Sequence, residues 1–142
     1  MAISPLFLAF ALFASADVSH SDQEIIGKND PILAHCIETS RETSADYSQC
    51  YGAAIKRADD RLNIVYKNLM QNVGGKESEA GKDLLKEQRL WISFKQEACG
   101  LYWGSEFGSM HRSIIGPSCI LNIVSSRVEQ LEDMNSNFET EY

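Results

Sequence analysis

Sustained hydrophobicity is scarce in this sequence. The apolar run Leu6 to Phe13 is far too short to cross a bilayer as a helix. Basic charge is short as well. Thirteen Lys and Arg stand against 20 Asp and Glu, for a net charge of -7 and a pI near 4.9. Sequence-independent nucleic-acid binding needs a basic surface, so that class is excluded. An acidic chain is suited instead to attraction toward a basic partner. Catalytic signatures are missing: there is no G-x-S-x-G, no H-E-x-x-H and no glycine-rich phosphate loop. The adjacent carboxylates Asp59 and Asp60 point to different sides of a helix and cannot converge on one bond. Neither an enzyme nor a cofactor is expected.

Closely spaced cysteines are also lacking. Cys36, Cys50, Cys99 and Cys119 are separated by 13, 48 and 19 residues, unlike the near pairs of zinc sites. His35 beside Cys36 does not repair this, since neighbouring side chains rarely reach one ion. No C-x-x-C and no odd cysteine suggest a catalytic thiol. An even count behind an export signal points to two disulfides.

That signal is read at residues 1–16. The apolar run is followed by Ala14-Ser15-Ala16, a small-x-small cleavage pattern, although the segment before it has no Lys or Arg. The mature chain is expected to begin near Asp17, in a periplasm or outside the cell. No cysteine stands at the cleavage position, so no lipid or other membrane anchor is expected. About 126 residues remain, enough for one domain with a real core. Residues 17–31 are polar, lack periodicity and read as a loose arm. The domain is expected over 32–135, and an acidic tail over 136–142.

The centre of the domain is Thr43 to Val73. Tyr47, Cys50, Ala54, Ala58, Leu62, Val65 and Leu69 recur at steps of three or four, one face of a long helix. Thr43 with Asp46 resembles a capping box, and Gly74-Gly75 supplies the stop. A second helix is expected from Asp83 to about Tyr102, with Leu84, Leu85, Gln88, Trp91, Ile92, Ala98 and Cys99 on its apolar side. The short connection makes these two an antiparallel hairpin. At about 1.5 Å per residue, Cys50 and Cys99 then fall at the same, open end. Gly104 to Gly116 reads as a long loop, after which Pro117 opens a third helix with the stripe Ile120, Val124, Val128, Leu131 and Met134. The fold class is therefore all-α: a small bundle of about three main helices with a long antiparallel helical hairpin, stapled by two disulfides. Sequential pairing, Cys36–Cys50 and Cys99–Cys119, is favoured because each closes a short loop worth about 3 kcal/mol. The other two connectivities stay open.

Further along the same stretches the chain resembles a known family. Cys36 and Cys50 precede ADDRLNIVYKNL at Ala58 to Leu69. KEQRLWISFKQEAC follows at Lys86 to Cys99, then Cys119 with SSRVEQLE at Ser125 to Glu132. Four cysteines in register with Leu62, Asn63, Tyr66, Gln88, Trp91 and Arg127 resemble the LprI-type lysozyme-inhibitor domain, over Cys36 to about Glu132. The resemblance implies an exported protein that binds lysozyme and blocks its attack on peptidoglycan. A periplasmic interaction or immunity-type module is the alternative.

An inhibitor of a basic lysozyme would be steered by its acidic charge, and a loop presenting donors could occupy the acidic cleft. The Gly104–Gly116 segment, tethered by Cys99 and Cys119, offers Ser105, Ser109, His111 and Arg112 for that purpose, Arg112 in bidentate fashion. Trp91 reads as a core anchor. Asn63 and Gln88 read as residues that hydrogen-bond between the first two helices or to a cap, and Tyr66 as a buried ring with an exposed hydroxyl.

Overall fold

The structure, a computed structural model, describes residues 30–139. The expected leader at 1–16, most of the arm at 17–31 and the final three residues lie outside that range. Four α-helices follow one another: α1 (Pro31–Glu38), α2 (Ser44–Asn72), α3 (Glu79–Ala98) and α4 (Gly116–Glu139). A 3₁₀ turn (Gly100–Trp103) and a π-helical turn (His111–Ile115) join α3 to α4.

Helix α1 starts where the sequence expected the arm to end. Asp30 is its N-cap, its Oδ1 accepting from the N–H groups of Ile32 and Leu33 at 3.0 Å each, and Pro31 occupies the first turn. The other carboxylate oxygen accepts from Arg57 Nη2 on α2 at 2.6 Å. Burial pushes the Asp30 carboxyl up, but Arg57 and the two amides outweigh it and hold the group below its ordinary value. Leu33, fully buried, then packs on Cys50, Tyr51, Ala54 and Leu121.

Helix α2 is capped as expected at its first turn, Thr43 Oγ1 accepting from Asp46 N–H at 3.2 Å. The reciprocal half of the capping box is not made. Asp46 reaches back instead to the N–H and guanidinium of Arg41, at 3.2 and 3.3 Å. At the other end Gly75 N–H donates to Met70 O at 2.8 Å and Gly74 N–H to Gln71 O at 3.1 Å. This is a Schellman stop, and it needs φ of +92° and +81°, which glycine adopts without strain. The next helix starts at once. Ser78 Oγ caps α3 by accepting from Gly81 N–H at 2.9 Å, and donates to the turn's own carbonyls.

The chain runs up along α2, down along α3 and up again along α4. Leu62, Leu69 and Met70 meet Val124, Val128, Leu131 and Leu84 in one core, and Ala58 bridges to the smaller core around Leu33. The closest backbone approach is between the parallel helices α2 and α4, rather than within the α2–α3 hairpin. Side-chain size accounts for this. The α2–α4 contact uses small residues such as Ala54, Ala58 and Ser118, whereas α3 faces inward with Leu84, Leu85, Gln88 and Trp91. The hairpin itself is in register: Lys95 Nζ lies 3.3 Å from Asp59 Oδ1. The chain beyond Asn135 stays helical to Glu139.

Both sequential disulfides are formed, Cys36–Cys50 with Cα atoms 5.7 Å apart and Cys99–Cys119 at 6.0 Å. Two expectations about the course of the helices need correction. Ile92 is not on the buried face of α3; it is exposed, and Gln88 and Leu84 take the core positions. The long loop is short. Backbone from Ser109 onward is helical and runs without a break into α4, leaving Gly104–Gly108 as the connection. Pro117 therefore sits inside a helix. A proline there cannot donate to the carbonyl four residues back and crowds it. The preceding π turn, in which Gly116 N–H bonds His111 O, widens the helix beside the ring.

Two outcomes follow from the α1 cap and the tight turn. The lowered Asp30 carboxyl contributes stability that is complete above its ordinary value and is lost as pH falls through the folded one. The Tm gap between parent and Asp30→Asn should thus shrink as pH drops from about 5 to about 2; thermal circular dichroism would read it, and a constant gap would show that the Arg57 pair contributes nothing. A Cβ at Gly81 would lie 1.9 Å from Gly75 O. Gly81→Ala should cost about 2 kcal/mol in urea titration despite alanine's better helix propensity.

Candidate functional site

Arg127 lies in the middle of α4, between the buried residues Val124 and Val128, and is itself only 2% exposed. A buried guanidinium must have its donors satisfied. Its Nε and Nη2 donate to Gln88 Oε1 at 3.1 and 2.9 Å, and its Nη1 to Glu87 Oε1 at 2.7 Å and Gln130 Oε1 at 2.5 Å. The guanidinium carbon also sits 5.8 Å from the centre of the Trp91 ring, whose other neighbour is Lys95 Nζ at 5.5 Å. Tyr66 approaches from α2. Its hydroxyl is buried and has no hydrogen-bond partner, and that burial pushes the phenol's pKa up against the lowering by Arg127 and Arg89.

Five of the six motif residues thus converge on the interior: Leu62, Tyr66, Gln88, Trp91 and Arg127. Asn63 does not, because it is exposed on the outer side of α2. Gln88 pairs with α4 rather than with α2, and the Tyr66 hydroxyl is inside rather than outside. The cluster fixes α3 against α4 and carries no group poised for proton transfer. Asp59 and Asp60 are each engaged separately, with Lys95 at 3.3 Å and Lys56 at 2.7 Å.

The four residues read as partner contacts lie at the cysteine end, on two different structures. Ser105 is exposed in the short connection, where the Glu106 carboxylate folds back over Gly104. Ser109 and Arg112 are exposed one turn apart at the start of the long helix. His111 is half-buried and stacks on Phe107, with ring centroids 4.9 Å apart. Behind them Trp103 presses on Gly116, where a Cβ would come 3.1 Å from the indole. Tyr51, which the sequence reading did not place in the core, is 1% exposed beneath this end; its hydroxyl faces Ser118 without a well-aligned hydrogen bond, and burial raises its pKa.

A second surface feature was not anticipated. Between α3 and α4 lies a groove of about 420 Å³, mostly apolar, lined by Trp91, Phe94, Asn122, Ile123, Ser126 and Gln130 with the Arg127 guanidinium at its edge. Phe94 and Leu90 on α3 are 57% and 65% exposed. The signal was present in the sequence, since both fall off the core stripe of α3 on a face that should have been polar. Among the described residues no three His, Cys, Asp or Glu are grouped to hold a metal, and no helix is long and apolar enough to cross a membrane.

Removing Arg127 tests the node. Arg127→Ala leaves the Gln88 carbonyl unpaired in a void and should destabilise the fold by about 3 kcal/mol. Arg127→Lys should recover only part of that, since an ammonium cannot reproduce the forked contact with Gln88 and Gln130. Full recovery in chemical denaturation would mean that charge alone, and not the fork, holds the two helices.

The frame and its motif residues can be set against known proteins. No curated protein and no solved structure matches the chain. The model of one family, described as "Lysozyme inhibitor LprI", matches residues 36–131, which run from the first cysteine through the buried Leu131. That span takes in both disulfides, the Arg127 node, the whole of α2 and α3 and most of α4, and on it the chain belongs to the LprI lysozyme-inhibitor family.

Proposed function

We propose that this chain is an exported inhibitor of lysozyme-type peptidoglycan hydrolases, acting by binding and without turnover. The observation that carries the reading is the family match over residues 36–131. Two disulfides and no free cysteine fit an oxidising compartment, periplasmic or extracellular. The segment 1–16 serves as the export signal. The net charge of -7 favours encounter with a basic lysozyme and makes that encounter sensitive to salt.

The corner formed by Ser105, Ser109, His111 and Arg112 supplies hydrogen-bond donors for the carboxylates of the target's cleft. It is braced rather than loose, since the Cys99–Cys119 bond, the Trp103–Gly116 contact and the Phe107–His111 stack hold it. Ordering before binding lowers the entropic cost of association.

The deciding experiment titrates the oxidised chain, from Asp17 onward, into basic lysozymes while following cell-wall lysis. Stoichiometric loss of lysis, weakened by added salt, is expected. No effect on any lysozyme by a folded sample would leave an interaction module of another kind. Arg112→Ala should weaken inhibition about tenfold, the worth of one charge-assisted contact. Its helical circular dichroism should not change, because Arg112 is exposed.

A further inference from the structure

The α3–α4 groove is more than a gap between two helices. Its wall carries Phe94, and Leu90 stands exposed one turn before it. Large apolar side chains gathered beside a concave surface mark contact sites more often than singly scattered ones do. Nothing among the described residues covers them.

Most of the charges around the groove are negative, and the two cations beside it, Arg127 and Lys95, are each engaged by a carboxylate. On α3 the residues that share the Phe94 face at helical spacing include Asp83, Glu87, Leu90 and Glu97. On α4 the outward positions next to the groove include Glu129 and Asp133. Arg127 is the one basic residue between Ser113 and Glu139, and it is buried and neutralised by Glu87. Lys95, beside Trp91, is engaged by Asp59 on α2. Of the other basic residues of α3, Lys82 and Arg89 fall outside the Phe94 face, and Lys86 stands one turn before Leu90 and two before Phe94. With Glu87 taken up by Arg127, the carboxylates left on the two sides of this apolar slot are Asp83 and Glu97 on α3 and Glu129 and Asp133 on α4.

We propose that this groove is the docking surface for a cationic protein segment with an apolar tip, the tip entering beside Phe94 and the cations meeting Glu97, Glu129 and Asp133. The inference rests on the reading above and assigns the occupant to the basic lysozyme itself. These carboxylates select against anionic lipid surfaces, and the apolar wall gives what charge alone cannot, a fixed register. The groove lining starts three residues after Cys119 on α4 and ends five residues before Cys99 on α3, so it lies on the side of the bundle toward the corner.

The test compares three forms of the full oxidised chain in lysozyme inhibition and in titration calorimetry: the parent, Phe94→Asp, and the double variant Glu129→Lys with Asp133→Lys. All three sites are on the surface, and unchanged thermal unfolding would confirm folded samples. Phe94→Asp should weaken binding about tenfold or more. The double reversal should weaken it at low salt and flatten its dependence on ionic strength. Unchanged affinity in both variants, with an inhibitory parent, overturns the groove assignment and leaves the inhibitor reading standing. A parent that inhibits no lysozyme overturns both. Analytical ultracentrifugation adds one more outcome. A parental dimer that Phe94→Asp splits into monomers would give the groove to a second copy and overturn the proposal.

Discussion

Two helices that run in the same direction cannot be joined by a short turn, and the parallel contact of α2 with α4 imposes that constraint on everything else in the chain. The return path has to cover the length of the bundle. Helix α3 is that path, and its 20 residues rise about 30 Å. Both of its ends are fixed by local chemistry. At one end two glycines at positive φ stop α2, and Ser78 starts α3 within a few residues. At the other, Cys99 is bonded to Cys119 as the chain turns upward again. The first disulfide does the same for α1, fastening Leu33 over the smaller core, with the Asp30–Arg57 pair as a second tie. Surface pairs such as Arg61–Glu132 add register more than stability.

Because α2 and α4 are in close contact through small residues, α3 stands off from them, and the space beneath it is filled by larger and more polar groups. Arg127 is the consequence. An aliphatic side chain there would pack, but it would leave the rotation of α3 about its own axis weakly specified. The fork from Arg127 to Gln88, Glu87 and Gln130 defines that rotation by direction as well as by distance. Once it is set, Trp91 is turned toward the guanidinium and Phe94 toward the outside. The groove exists because the node is polar and cannot collapse onto α4.

Much of this was legible in the sequence, for local reasons. The α2 stripe, the Thr43 cap and the glycine stop each depend on a few neighbouring residues, and all were read correctly. Sequential disulfides followed from loop length. What escaped reading depends on contacts far apart in the chain. Ser109 to Gly116 has the composition of a loop, yet Trp103 against Gly116 and the disulfide hold it as helix, with a π turn making room for Pro117. Gln88 was given the wrong partner because helix–helix distance cannot be seen in periodicity. Asn63 looked inward beside an apolar stripe and faces out. Ile92 was placed on the apolar side of α3 beside Trp91 and is exposed, as is Phe94 two residues on.

The family match and the proposed partner surface draw on different residues. The residues that carry the resemblance, from Leu62 and Tyr66 to Gln88, Trp91 and Arg127, are mostly inside. They specify a frame: three long helices in fixed rotation with a braced corner at one end. Binding has to be performed by what that frame presents to solvent, and the proposals made above give that role to Arg112 at the corner and to Phe94 and the carboxylates beside it. An inward motif can therefore be shared by proteins whose outward faces address different targets. In the groove proposal the carboxylates are what would direct this chain toward a basic one, since like-charged walls around an apolar slot admit a cation far more readily than an anion.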